Sequence, residues 1–320
     1  MKEGQVPKRV STKQICVVVF SSAAKIEKTG QINGFQVPIS SKRNVKFAIY
    51  GHLQRANLLT YINFMEYRLA PTFALNSISM TTITLDILAF GAHPDDVEIS
   101  CGATLIRAIE DRKTVGLVDL TAGEMGSRGS RELRLKEAEN AGRLMGLTVR
   151  ENLEFRDCFI ENDELHRLKV IEKIRQYRPS IVLANSPSDR HPDHARASEL
   201  VREACFYSGL AKIETTSNGM LQEPWRPRSV FMYIQDYYLT PSFVVDISGH
   251  WDKKVAALKC YGSQFHDPTS TQPQTPISGE EFFDFLYGKA LSYGRPCGFT
   301  LGEGFITERA PGVDSLNQVF

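Results

Sequence analysis

No run of about 18 apolar residues occurs in this 320-residue chain, so no membrane-spanning helix is expected. The longest apolar stretch, ICVVVF over residues 15–20, is only strand-sized. The basic N-terminal residues precede no compact apolar segment with a small-residue cleavage site, so export is not expected either. The six cysteines (Cys16, Cys101, Cys158, Cys205, Cys260 and Cys297) show no CxxC spacing. They read as reduced, mostly buried thiols of a cytoplasmic protein, each a small hydrophobe rather than a zinc ligand. A dinucleotide fingerprint is missing: glycines 123, 126 and 129 stand in G-E-M-G-S-R-G, not G-x-G-x-x-G, and do not follow the domain's first strand. No Walker lysine pattern is present. These two absences count against a nucleotide-dependent enzyme. Internal repeats and low-complexity tracts are also lacking.

Charge is nearly balanced at +1, but unevenly placed. Residues 1–79 hold 11 Lys/Arg and 3 Asp/Glu, a net of +8, which leaves −7 on the rest. Such an arm suits nucleic acid or anionic lipid. It nevertheless lacks a dense basic run and interleaved aromatics for base stacking, so no nucleic-acid partner is expected. Residues 1–79 have no sustained period and read as a basic extension, poorly ordered or upstream of the natural start. Met80 opens MTTITLDILAF, and the catalytic domain is expected over residues 80–320.

From Leu85 the pattern alternates. LDILAF predicts a strand, residues 98–112 a helix, VGLVDL (115–120) a strand and RELRLKEAENAGRLMGL (131–147) a helix. NLEFRD, SIVLANSP, VFMYIQDYY and SFVVDIS predict further strands. The segments beginning at Leu165, Ala195, His250 and Glu280 predict helices, and the C-terminal tail reads as loop. Helices between apolar strands imply right-handed βαβ units. The fold class is therefore α/β: a three-layer Rossmann-like domain with a mostly parallel sheet and its active site at the C-terminal strand ends.

Two histidine–acid clusters sit where such strands end. The first is His93-Pro94-Asp95-Asp96, after Gly91; the second is His191-Pro192-Asp193-His194. Acids at a helix start also serve as caps, but two such clusters after two strands are hard to assign to capping. His93, Asp96 and His194 make a two-histidine, one-carboxylate set that suits Zn²⁺, although Fe²⁺ and other divalent ions use similar ligands. Asp95 is then free to act as a base on water. His191, oriented by Asp193, is placed to donate to an oxyanion or to protonate a departing amine. The glycine-rich loop is expected to bring Glu124, Arg128, Arg131 or Arg134 toward the crevice, where an arginine fork can bind a substrate anion. A metal-binding protein without catalysis is the reading left if Asp95 points elsewhere.

AHPDD at 92–96, TAGEMGSRG at 121–129, the RELRLKEA helix start and HPDH at 191–194 together resemble the LmbE/PIG-L family of zinc-dependent deacetylases of N-acetylglucosamine conjugates. The resemblance spans about 84–313. It implies zinc on His93, Asp96 and His194, Asp95 as general base, His191 assisting at the transition state and Arg134 binding substrate. This chain reads AHPDDVE where many members read AHPDDE, so Glu98 inherits no role. ILAFGAHPDDVE, the segment 254–265 and LGEGF look most like the bacillithiol-pathway branch, which implies N-acetylglucosaminyl malate as a small glycoside substrate. Family members are often oligomeric, so a homo-oligomer is compatible with this reading.

Overall fold

The computed structural model describes residues 83–313 and Ser315. Before them it describes only an antiparallel backbone ladder of β1 (Gly30–Ile32) with β2 (Phe35–Val37). The chain divides into two compact units, Met1–Ser77 and Ile78–Phe320. Apart from that ladder, the extension expected over residues 1–79 lies outside the described residues, as does Cys16.

The second unit begins β3 (Ile87–Gly91), α1 (Asp96–Glu110), β4 (Val115–Thr121), α2 (Arg131–Met145) and β5 (Val149–Phe155). It continues through α3 (Glu164–Tyr177), β6 (Ile181–Ala184), α4 (Pro192–Tyr207) and a short ladder, β7 (Thr216–Ser217) with β8 (Met220–Leu221). β9 (Ser229–Tyr233), β10 (Phe243–Asp246), α5 (Trp251–Leu258), α6 (Phe282–Gly294) and β11 (Gly302–Ile306) complete it. The seven-stranded sheet is ordered β10-β11-β9-β6-β3-β4-β5. From β9 to β5 all pairings are parallel, while β11 and β10 add antiparallel pairs at one edge. The expected mostly parallel α/β architecture is what the chain adopts.

Alternate residues of each central strand feed opposite layers. Leu88, Phe90, Val118 and Leu120 pack with Val170, Ile171 and Ile174 of α3 and Leu200 and Val201 of α4. Ile87, Ala89, Val115 and Leu117 pack with Val97, Leu105 and Ile106 of α1 and Met145 of α2. Helices thus cover both faces, which is why these strands read as unbroken apolar runs. No helix among the described residues is long and apolar enough to cross a membrane. Of the five described cysteines, Cys101 and Cys205 are buried, but Cys158 and Cys297 are exposed, so the thiols are not uniformly core residues.

The tail expected to be loop instead supplies β11, inserted between β10 and β9. Its two glycines hide a strand from propensity. Tertiary contacts decide it: α1 breaks its helical path at Cys101 (φ −139°, ψ 19°), which frees N–H groups in mid-helix. The Glu303 carboxylate of β11 accepts from Ala103 N at 3.3 Å and Thr104 N at 2.7 Å, and pairs with Lys254 Nζ at 2.6 Å. Both charged side chains are only 4% exposed. Glu303→Ala is expected to destabilise the fold by about 3–5 kcal/mol, because it leaves a buried ammonium unpaired. Urea unfolding checks this; a midpoint unchanged from the parent would contradict it.

Candidate active site

The sheet order reverses beside β3: the chain moves outward through β4 and β5, then returns to place β6 on the other side. Diverging loops open a crevice at the carboxyl ends of β3 and β6. Both histidine–acid clusters flank it. The ends of neighbouring parallel strands add Asp157 after β5 and Gln235 after β9.

Gly91 is needed where β3 turns into the site. A Cβ there would lie 3.1 Å from His93 O and 3.3 Å from Val97 Cγ2, tighter than ordinary packing. Asp95 stands at the N-cap of α1, but its backbone has φ 111° and its side chain makes no capping hydrogen bond. Capping therefore does not account for this acid. The carboxylate instead pairs with Arg134 Nη2 at 3.2 Å, both side chains nearly excluded from solvent. Left-handed backbone at a non-glycine residue stores strain that the surrounding structure must hold, and such strain gathers at functional sites.

Asp96 joins the clusters. Its Oδ2 lies 3.4 Å from His93 Nδ1 and its Oδ1 lies 3.1 Å from His194 Nε2. Asn185 donates to Oδ2 at 3.1 Å and Gln235 to Oδ1 at 2.7 Å, so the carboxylate cannot rotate freely. Each imidazole is gripped from behind. His93 Nε2 faces Asp157 Oδ1 at 3.1 Å and Asp193 Oδ2 at 3.4 Å, while His194 Nδ1 faces Asp189 Oδ2 at 2.8 Å. Carboxylates behind an imidazole fix its tautomer and leave the other nitrogen for a metal. Ring nitrogens of His93, His191 and His194 also lie within 4.8 Å of one another.

The donor set fits a divalent cation. Asp95, Asp96, Asp157, Asp189 and Asp193 crowd the three imidazoles, with the guanidiniums of Arg134 and Arg196 as the arginine partners of Asp95 and Asp193. This excess of negative charge favours the protonated forms of His93 and His194. Burial opposes charge on His93, but Asp96, Asp157 and Asp193 overcome it and raise its pKa well above the usual imidazole range. Burial likewise opposes charge on His194, yet Asp96 and Asp189 lift it to about 9. His191 is different: burial and its two imidazole neighbours hold its pKa below the ordinary value. Burial pushes Asp95 up to about 7, aided by Asp96 and opposed by Arg134.

A metal held by His93 and His194 would have to expel their protons, since a ligating imidazole is neutral. At pH 7 we expect release of about two protons per ion, and affinity that rises as the pH approaches 9. Calorimetry in two buffers of different ionisation enthalpy measures this. Identical heats in the two would contradict it.

The remaining expected residues divide. Arg134 is in the site, donating to Pro94 O at 2.6 Å and Gly123 O at 3.1 Å. Gly123 has φ +64°, and a Cβ on it would overlap the Arg134 guanidinium, so glycine there makes room for the arginine. Arg128 does not remain free for substrate. It is buried, and its donors engage Ser263 O, Phe265 O, Pro273 O and Ser270 Oγ, which fastens the 263–273 loop. Glu124 is exposed and accepts from Asp157 N at 2.8 Å, supporting a residue that touches His93. Asp193 turns its carboxylate to His93 rather than to His191; only its N–H reaches His191 Nδ1, at 3.3 Å. The physical reason is the start of α4 at Pro192, three residues earlier than expected, since proline is preorganised for the first helical position. His191 thereby becomes the N-cap. Asp157, Asn185, Asp189 and Gln235 also face the site, although none of them belongs to either histidine–acid motif. Their available signal is position, a few residues past the ends of apolar strands.

A family model described as PIG-L, GlcNAc-PI de-N-acetylase, matches residues 88–205. The chain is 28% identical over 228 residues to a diacetylchitobiose deacetylase of Thermococcus kodakarensis, covering 68% of this chain and 81% of that protein. It is 34% identical over 163 residues to the uncharacterised deacetylase YaiS of Escherichia coli, covering 48% of this chain and 84% of that protein. The crystal structure of the conserved protein TT1542 from Thermus thermophilus superposes with a TM-score of 0.64 at 35% identity, covering 72% of this chain and 97% of that one. With these similarities and a buried histidine–aspartate centre at the switch point of its sheet, the chain belongs to the LmbE/PIG-L deacetylase family.

Proposed function

We propose that this protein is a zinc-dependent N-deacetylase that hydrolyses the acetamide of an N-acetylglucosamine conjugate, with N-acetyl-α-D-glucosaminyl L-malate of bacillithiol biosynthesis as its substrate. The observation that carries the reaction is Asp95: a strained, buried carboxylate beside Asp96, released from capping and held near pKa 7. His93, Asp96 and His194 would hold the ion. When bound, it polarises the acetamide carbonyl and acidifies water.

Asp95 takes the proton from the attacking water and can return it, because a base with pKa near the working pH serves both directions. The positive charge of Arg134 keeps Asp95 oriented. His191 accepts the Asp193 N–H at Nδ1, so its neutral ring carries its proton on Nε2. That N–H donates a hydrogen bond to the developing oxyanion, while the departing amine nitrogen takes back the proton that Asp95 holds. Glucosamine conjugate and acetate are the products.

Malate recognition requires a cation. Arg190, adjacent to His191, is paired with Asp236 at 3.3 Å and has a side chain 40% exposed, so part of its fork is open to an anion. A second reading, a conjugate with a second sugar, is favoured by the apolar wall of Ile99, Ile277, Phe282 and Phe285 beside His194. Amine release from a panel of malate, inositol and sugar conjugates of N-acetylglucosamine tests both. A kcat/KM at least tenfold higher for malate supports the first reading. A preference for diacetylchitobiose would reject it while leaving the deacetylase, and no amine from any conjugate would reject the reaction itself.

A further inference from the structure

Lys289 lies inside α6, and its ammonium is directed at main-chain oxygens. It donates to Gln235 O, and reaches Asp236 O and Tyr237 O, each at 3.4 Å. Three consecutive carbonyls converge on one cation. The same stretch is gripped on its other side: Asp236 N and Tyr237 N donate to Asp189 Oδ1 at 3.1 and 3.2 Å. Asp189 holds His194 at 2.8 Å, and the Gln235 amide holds Asp96 at 2.7 Å. β9 ends at Tyr233, so no ladder continues through 235–237 to fix the segment.

We propose that Lys289 is a positioning residue for the metal centre, acting through residues 235–237 on Asp96 and His194. This rests on the metal-site reading above. Without the ammonium, three carbonyls lose a charged donor, and the peptide planes of a segment outside regular structure are then held mainly from the Asp189 side. Displacement there reaches both proposed ligands at once, through Gln235 and through Asp189.

The test uses the full chain stripped of metal, with zinc affinity measured by competition with a chelating dye and kcat and KM measured after reloading. Lys289→Met is expected to raise the zinc dissociation constant about tenfold, within the range for partners lying behind metal ligands. It should lower kcat with KM within about twofold of the parent, and Lys289→Arg should recover most of both losses. Asp189→Asn should also weaken zinc binding. Combined with Lys289→Met it should cost less than the product of the two single effects, because both act through the same peptide groups. Parent-like zinc affinity in Lys289→Met, or losses that multiply in the double variant, would overturn the proposal. If Lys289→Met fails to fold, Lys289→Gln keeps a neutral donor and should weaken zinc binding about threefold; unchanged affinity in it overturns the proposal equally. A parent that binds zinc but releases no amine sinks the reaction alone, leaving the positioning role to the zinc measurement. A parent that binds no zinc removes both.

Discussion

Asp95→Asn is expected to lower kcat by about 10³-fold while zinc content stays at the parent level. The amide has the shape of the carboxylate but cannot take a proton from water, so only the base is lost. Asparagine is a better choice than alanine because Asp95 and Arg134 form a buried pair, with side chains 5% and 6% exposed. Truncation would leave the Arg134 charge uncompensated and mix a stability loss of several kcal/mol with the catalytic one. The asparagine oxygen can still accept from Arg134 Nη2. Single-turnover acetate release and elemental analysis on the same sample separate the two quantities. Survival of activity within tenfold of the parent would show that Asp95 is not the base.

His194→Ala is expected to produce the opposite pattern, with metal occupancy collapsing and activity falling in proportion. The imidazole meets Asp96 Oδ1 with Nε2 at 3.1 Å and Asp189 with Nδ1 at 2.8 Å, so its loss removes a proposed ligand and takes one partner from each of two carboxylates. Weakening beyond 100-fold is expected, more than the roughly 10–100-fold typical when only a supporting partner is lost. Excess zinc should restore part of the activity, whereas it should restore none to Asp95→Asn. Full occupancy in His194→Ala after dialysis would place the ion elsewhere, with the triad of His93, Asp157 and Asp193 as the next site to test.

Much of this molecule is written locally. The central strands β3, β4 and β6 are mostly apolar because both faces are covered, and that is visible in a short window of the sequence. The pairing of His93-Pro94-Asp95-Asp96 with His191-Pro192-Asp193-His194 needed only the expectation that both follow strands of one parallel sheet. β11 was illegible for a contrary reason. Gly302 and Gly304 remove the strand signal, and the energetic reason for the strand, Glu303 completing a broken helix about 200 residues earlier, is not local. Arg128 shows the same limit: its charge and its loop suggest a ligand contact, but its four acceptors lie between Ser263 and Pro273.

The sequence by itself determined the α/β class, the two clusters and the residues proposed to flank a cation. It did so because strand periodicity and turn chemistry act over a few neighbouring residues. Only the tertiary structure decided how those residues are divided. It turned Asp95 away from capping and toward Arg134, moved Asp193 behind His93, added Asn185 and Asp189 from the end of β6, and brought Asp157 and Gln235 in from two further strand ends. Side-chain direction within a crevice depends on which partner reaches it first across the sheet. That depends on strand order, which no local pattern encodes.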